Sequence, residues 1–280
     1  MRRVKRKRIR WGRIVILFII VFLFVGGGIF GYHAFFGKKS YKKGENNLKI
    51  SKEVSKDKKV DVSLEKAPDN YQEFLNLKDG EYATSKGFTL KILDGVAYVD
   101  EHIIVNKTYA VPSSYQPIHP NEEVVGERCN NCIEKDVMEA FKLMQSDAKA
   151  LGLNIYISSG YRGYTYQEKL YNNYVSISGK AQADTYSARP GHSEHQTGTC
   201  FDLNSIDDSF QYTNEGKWVN ENAYVYGFII RYPKGKESIT GYQYESWHFR
   251  YVGTLLAGKL YNGGNWITLE DYFGITSKYN

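Results

Sequence analysis

The stretch Ser193-Glu-His-Gln-Thr-Gly-Thr-Cys-Phe-Asp202, taken with Glu245-Ser-Trp-His248, decides how this chain is read. Together they offer two imidazoles, His195 and His248, one aspartate, Asp202, and a glutamate, Glu245, three residues ahead of the last histidine. Two imidazoles and a carboxylate are the donor set of a catalytic zinc ion, which keeps one position open for water; closed structural sites prefer four ligands rich in cysteine. The segments Thr199-Cys-Phe-Asp-Leu-Asn204 and Trp247-His-Phe-Arg-Tyr-Val252 read as strands, along which side chains alternate between faces. His248 and Arg250 therefore share one face and Trp247 and Phe249 the other. Glu245 reaches the site from the preceding turn, where a general base belongs. Arg162, delivered by the tight turn Ser159-Gly-Tyr-Arg162, is the candidate donor to a developing oxyanion.

Each of these residues has a plainer competitor. A lone histidine is more often a structural one, Asp202 suits a cap or turn, Glu245 can pair with Arg250, and Arg162 with Glu168. Their joint appearance in this order favours the metal reading. His192, three residues before His195, is the rival ligand; it follows Pro190-Gly191 and so sits in a loop. His102 and His119 lack partner spacing and read as structural. Cys129-Asn-Asn-Cys132 has no second pair to complete a four-thiolate site and no thioredoxin-like context, which leaves a local disulfide or two free thiols. Cys200 reads as a small buried hydrophobe on its strand.

Around this centre the pattern mixes elements. Short strands are predicted between Tyr82 and Tyr109, with Asp94-Gly95 as a turn. From Glu134 to Leu151 the apolar residues Val137, Met138, Phe141, Met144 and Ala148 recur at helical spacing before Gly152. Asn154-Ile-Tyr-Ile-Ser158 alternates as a strand, and Thr165 with Glu168 forms a capping box for a helix running to about Val175. A helix over 218–226, a strand over 228–232 and short helices over 253–260 and 269–273 follow. Without regular strand–helix–strand alternation, the expectation is an α+β fold: a mostly antiparallel sheet flanked by helices, holding the zinc site.

The chain's front end is of another kind. Eight basic residues stand among the first thirteen with no acid, and an apolar run extends from Ile14 to Phe36. That run exceeds the roughly 20 residues a membrane-spanning helix needs. Basic flanks stay cytoplasmic, and the run ends in Gly31-Tyr-His-Ala-Phe-Phe36, which offers little to a signal peptidase. The organisation expected is a cytoplasmic tip (1–13), an uncleaved single-pass anchor (14–36), a lysine-rich linker (37–70), a strand-rich flap (71–110) and a catalytic domain (111–280) outside the cytoplasm. The net charge of +6 belongs to the tip, since 29 basic residues face 31 acidic ones beyond it. Nucleic acid is thereby excluded as a natural partner.

The residues quoted resemble those of the VanY-type zinc D-alanyl-D-alanine carboxypeptidases and their L,D-carboxypeptidase relatives, within the superfamily shared with lysostaphin-like enzymes and hedgehog domains. The similarity runs from Val105-Asn-Lys107 through Ser158-Ser-Gly-Tyr-Arg162, Ser193-Glu-His-Gln-Thr-Gly198, Tyr226-Gly-Phe-Ile-Ile-Arg-Tyr-Pro233 and Thr240-Gly-Tyr242 to Glu245-Ser-Trp-His-Phe-Arg-Tyr-Val-Gly253. It implies Zn2+ on His195, Asp202 and His248, Glu245 as catalytic base, Arg162 as aid to the scissile carbonyl, and substrate contacts from Ser193 and Gln167. It implies peptidoglycan stem peptides as substrates, with loss of the terminal D-Ala. The alternatives are L,D-carboxypeptidase action on tetrapeptide stems, or a zinc-containing wall-binding module without turnover. Ser246 departs from the family's common proline, and Thr199-Cys200 from its small apolar pair. The sequence leaves the number of copies in an assembly open.

Overall fold

The computed structural model describes residues 64–280. The expected tip, anchor and most of the linker lie outside them; among the described residues no helix is long and apolar enough to cross a membrane. The α+β class is as expected. Eleven strands are described: β1 (Glu65–Lys66), β2 (Gly80–Ala83), β3 (Thr89–Leu93), β4 (Val96–Val99), β5 (His102–Ile104), β6 (Arg128–Cys129), β7 (Ile157–Ser159), β8 (Tyr161–Arg162), β9 (Cys200–Leu203), β10 (Phe228–Ile230) and β11 (His248–Tyr251). The helices are α1 (Tyr71–Phe74), α2 (Lys135–Ala150), α3 (Tyr164–Ser178), α4 (Lys180–Tyr186), α5 (Asn214–Asn222), α6 (Glu237–Thr240), α7 (Gly253–Tyr261) and α8 (Leu269–Phe273).

The sheet that matters for function runs β10-β11-β9-β7 and is antiparallel throughout. Its alternation divides two kinds of chemistry. Phe201, Leu203, Phe249 and Ile230 face one way and are buried. There Phe201 meets Phe141 of α2 edge-on at 5.2 Å and Phe228 at 5.0 Å. Cys200, Asp202, His248 and Arg250 face the other way. Helix α2 has the predicted buried stripe, Val137, Met138, Phe141, Met144 and Ala148, and the chain leaves it through Gly152 at φ +77°. Each large side chain in that stripe contributes about 1.5–3 kcal/mol by leaving water.

The strand-rich segment forms a second sheet, ordered β1 to β5, in which β3 buries alternate residues Leu90 and Ile92. These belong to the same buried cluster as Phe273 and Leu269 of α8. Three expectations shift. The strand over 154–158 begins only at Ile157, because Asn154 and Tyr156 instead bond through Asn204. The helix expected from Thr165 starts at Tyr164 with Gly163 as its cap; Gly163 N–H donates to Glu127 O at 2.8 Å, so the capping box is not used. The helix expected over 218–226 begins at Asn214 as α5 and gives way to a 3-10 turn over Ala223–Tyr226.

Candidate metal centre and substrate groove

Asp202 and His248 are Cα partners across β9 and β11, so the ladder itself sets them side by side. His248 Nδ1 lies 3.3 Å from Asp202 Oδ1 and 3.4 Å from Glu245 Oε2. His195 comes from a short 3-10 turn, Glu194–Thr197, which stops at Gly198 in the left-handed region at φ +69°. A side chain there would also strike Pro117, its Cβ 2.7 Å from Pro117 Cγ. The imidazole is aimed by its Nδ1, 2.6 Å from the carbonyl of Gly160, leaving Nε2 3.4 Å from Asp202 Oδ2. A carbonyl partner requires N–H at Nδ1, which places the lone pair on Nε2.

This donor set fits zinc. Ligands 2.0–2.2 Å from a tetrahedral ion stand about 3.4 Å from one another, the separation found between each imidazole and the Asp202 carboxylate. His195 Nε2 and Asp202 Oδ1 are buried with no hydrogen-bond partner, a costly condition that a cation would relieve. The titration behaviour agrees. Burial alone would push both imidazoles down, yet the Cys200 thiol and Asp202 hold His195 and His248 above the usual value. Burial would push Asp202 up, and the two imidazoles hold it well below the usual carboxylate range. The raised imidazoles report negative charge around them, and the depressed carboxyl keeps Asp202 an anion, the form in which it can face a cation.

Glu194 escapes a reading of the sequence, because a glutamate in a turn beside a ligand resembles any solvated acid. It is fully buried. Its Oε1 accepts from Arg231 Nε at 2.7 Å and from Arg250 Nη1 at 2.8 Å, while Oε2 lies 3.5 Å from His248 Nε2. Glu270 closes the network on Arg231 with contacts of 2.6 and 2.9 Å. Burial pushes the Glu194 carboxyl up, but Arg231 and Arg250 outweigh it and hold the group ionised far below its usual range. Its carboxylate thus favours an N–H on His248 Nε2 and a free lone pair on Nδ1, toward Asp202. The signal in the sequence was Arg231 and Arg250, charges set in strands too apolar to leave them unpartnered.

The other expected residues are placed as follows. Glu245 sits in the turn before β11, its N–H bonded to Tyr232 O. Arg162, half-buried, brings Nη2 to 3.7 Å from Asp202 Oδ2, and its Nε has no hydrogen-bond partner. Neither pairs with the competitor named for it. Ser193 and Gln167 line the groove; Gln167 Nε2 donates to Ala188 O at 2.7 Å, which leaves its buried Oε1 without a partner. His192 is removed from the ligand set: its Nδ1 lies 2.8 Å from Asn106 O, its ring is wedged edge-on between Tyr71 and Tyr279, and burial pushes its pKa down to about 4. His102 packs on Phe273, away from the site.

Cys200 is buried on its strand as expected, though on the Asp202 face rather than in the apolar core. Donor atoms of His195, Cys200 and His248 lie within 4.8 Å of one another. Burial pushes the thiol up, but His195 and His248 bring it down to about 7. Cys129 and Cys132 form a disulfide. The loop that it closes lies on the strand carrying Arg162, where a Cβ on Gly160 would come 2.2 Å from Asn130 O. Gly160→Ala is therefore expected to cost about 1–3 kcal/mol and to lower activity, since the same residue's carbonyl aims His195. A thermal melt with Tm unchanged from the parent would refute this close approach.

The cluster opens into a groove of 520 Å³ with Tyr166, Tyr174, Tyr186, Tyr232, Tyr242 and Trp247 among its walls. Its floor can hold a metal, its base is within reach of a water there, and its aromatic walls suit an extended peptide.

The chain is similar to known carboxypeptidases. The family model VanY, D-alanyl-D-alanine carboxypeptidase, matches residues 130–254. The chain is 40% identical over 215 residues to "Putative carboxypeptidase YodJ" of Bacillus subtilis (strain 168), covering 71% of this chain and 78% of that one. Among solved structures, the LdcB LD-carboxypeptidase is 38% identical, covering 68% of this chain and 94% of its own, with a TM-score of 0.56. A mutant of the vancomycin resistance D,D-pentapeptidase VanY in complex with Zn(II) is 34% identical, covering 61% and 97%, with a TM-score of 0.50.

Proposed function

Because the chain belongs to the VanY family of D-alanyl-D-alanine carboxypeptidases, an enzyme family, we propose that it is a zinc carboxypeptidase that removes the terminal D-Ala from peptidoglycan stem peptides. The observation that carries this reading is the meeting of His195, Asp202 and His248 on the floor of a groove with Glu245 3.4 Å from His248. His195 Nε2, the Asp202 carboxylate and His248 Nδ1 would hold the ion. When bound there, zinc acts as a Lewis acid on the scissile carbonyl and lowers the pKa of water.

The protein's own groups do the rest. Glu245 takes a proton from the attacking water and delivers it to the nitrogen of the terminal residue as the amide C–N bond breaks. Water thereby supplies hydroxyl to the new carboxylate and hydrogen to the released amine. The Arg162 guanidinium, beside Asp202, meets the negative charge that develops on the carbonyl oxygen. Glu194 keeps the His248 ring in one orientation, and Ser193 and Gln167 are proposed to contact the peptide. The anchor at 14–36 and the linker after it belong to the same proposal: a membrane-bound enzyme working on the outer face, its reach set by the linker.

A second reading, L,D-carboxypeptidase action on tetrapeptide stems, is favoured by the extent of the similarity to LdcB. Incubating the full-length protein with pentapeptide and tetrapeptide stems and weighing the products separates the two. Loss of one alanine from the pentapeptide alone supports the first reading; loss from the tetrapeptide alone overturns it for the second. Metal removal gives an independent check. A chelator is expected to abolish hydrolysis and one equivalent of zinc to restore it. Full activity in a chelated, metal-free sample would end both.

A further inference from the structure

Two guanidinium groups line the groove, Arg128 and Arg162. They are Cα partners across the antiparallel pair β6 and β8, so their side chains leave the ladder on the same side. Like charges directly opposite one another are destabilising unless compensated. Arg162 has Asp202, 3.7 Å away. Arg128 has no carboxylate within ion-pair distance among the described residues; its Nη1 donates to Tyr166 Oη at 3.3 Å and its Nη2 to Ser158 O at 3.5 Å, with the guanidinium 5.7 Å from the Tyr166 ring. It is the uncompensated cation of a groove that Arg162, Glu194, Asp202, Asp207, Asp208 and Glu245 also line.

Its mounting is rigid. The Cys129–Cys132 disulfide begins at the next residue, Asn130 Nδ2 donates to Ser158 O at 3.2 Å, and Glu127 O accepts from Gly163 N–H at 2.8 Å. Bracing of the backbone limits the freedom that this exposed side chain has to lose on binding. The spacing also matches a peptide end. The terminal carboxylate lies one residue past the scissile carbonyl, about 3.8 Å along the chain, and opposed side chains on a ladder start about 4.5–5.5 Å apart.

We propose that Arg128 is a specificity-determining residue: while Arg162 meets the scissile carbonyl, Arg128 takes the free C-terminal carboxylate of the peptide. The inference rests on the carboxypeptidase reading for the identity of its ligand. Guanidinium forks match the planar carboxylate through paired charge-assisted hydrogen bonds, and an internal peptide bond or a C-terminal amide lacks the charge.

The test pairs two probes, an N-acetylated stem pentapeptide ending in D-Ala-D-Ala and the same peptide ending in D-alaninamide. Binding to full-length Glu245→Gln protein is measured by calorimetry, alone and with Arg128→Ala or Arg128→Lys added. The acid is expected to bind about tenfold or more tighter than the amide, the preference to fall below about threefold with Arg128→Ala, and Arg128→Lys to recover part of it. With Glu245 intact, Arg128→Ala should raise KM for the acid about tenfold while kcat stays within about threefold. An acid-over-amide preference unchanged by Arg128→Ala overturns the assignment. If the parent chain hydrolyses neither stem yet the preference is present and disappears with Arg128→Ala, the anion site stands and the carboxypeptidase reading falls.

Discussion

Glu245→Gln is expected to lower turnover of the preferred stem peptide by about 10^2–10^4-fold while the protein still carries one zinc. Gln preserves the size and the polar contacts of the side chain but cannot accept a proton, so the loss falls on the chemical step. KM should change little, because Glu245 is argued to act on the reacting water rather than on the peptide. The competing role is structural: Asp202, Glu245 and His248 also present donor atoms within 4.8 Å of one another. Were Glu245 a ligand, the substitution would strip the metal together with the activity. Metal analysis and kcat on the same preparation therefore separate base from ligand. Turnover within tenfold of the parent would remove Glu245 from the mechanism.

Glu194→Ala is expected to be the most damaging substitution for stability. It leaves two buried guanidinium groups, Arg231 and Arg250, with one carboxylate, Glu270, on Arg231 alone. Breaking a buried ion pair from one side costs about 3–5 kcal/mol, which in a domain of this size is a fall in Tm of about 6–20 °C. The survivor should also bind zinc about 10–100-fold more weakly, because His248 Nε2 loses the carboxylate that orients its ring. Thermal melts and a competitive zinc titration read the two effects separately. A variant with the parent's Tm would mean that the network contributes nothing.

The pH dependence follows from the same groups. The folded-state values of Glu194 and Asp202 are depressed, so their contribution to stability is complete above the ordinary values of 4.5 and 3.8 and is withdrawn as pH falls below them toward the folded ones. Stability of the parent should therefore slope downward in acid. In Glu194→Ala the slope should flatten, since one of the two carboxylates is gone.

Much of the site is written locally and could be read there. Alternation over Cys200–Leu203 and His248–Tyr251 puts donors on one face and aromatics on the other, and helical spacing marks α2. What escaped reading depends on meetings between distant residues. Glu194 acquires meaning only from Arg231 and Arg250, 37 and 56 positions away. Arg128 acquires it from a two-residue strand pairing that no periodicity marks. The start of α3 went to Gly163 because a tertiary hydrogen bond to Glu127 outweighed a local capping pattern. His192, which the sequence offers as a ligand equal in type to His195, is distinguished by where its ring is wedged.

The facing of Asp202 and His248 across two neighbouring strands has a consequence for assembly. A slip of one position between β9 and β11 would carry one member of the pair out of line with the other, and turning either strand over would deliver phenylalanine where a donor should be. Under the zinc reading, capture of the cation would report on strand alignment: a misaligned copy would stay empty and harmless, and only a finished molecule would acquire the power to cut.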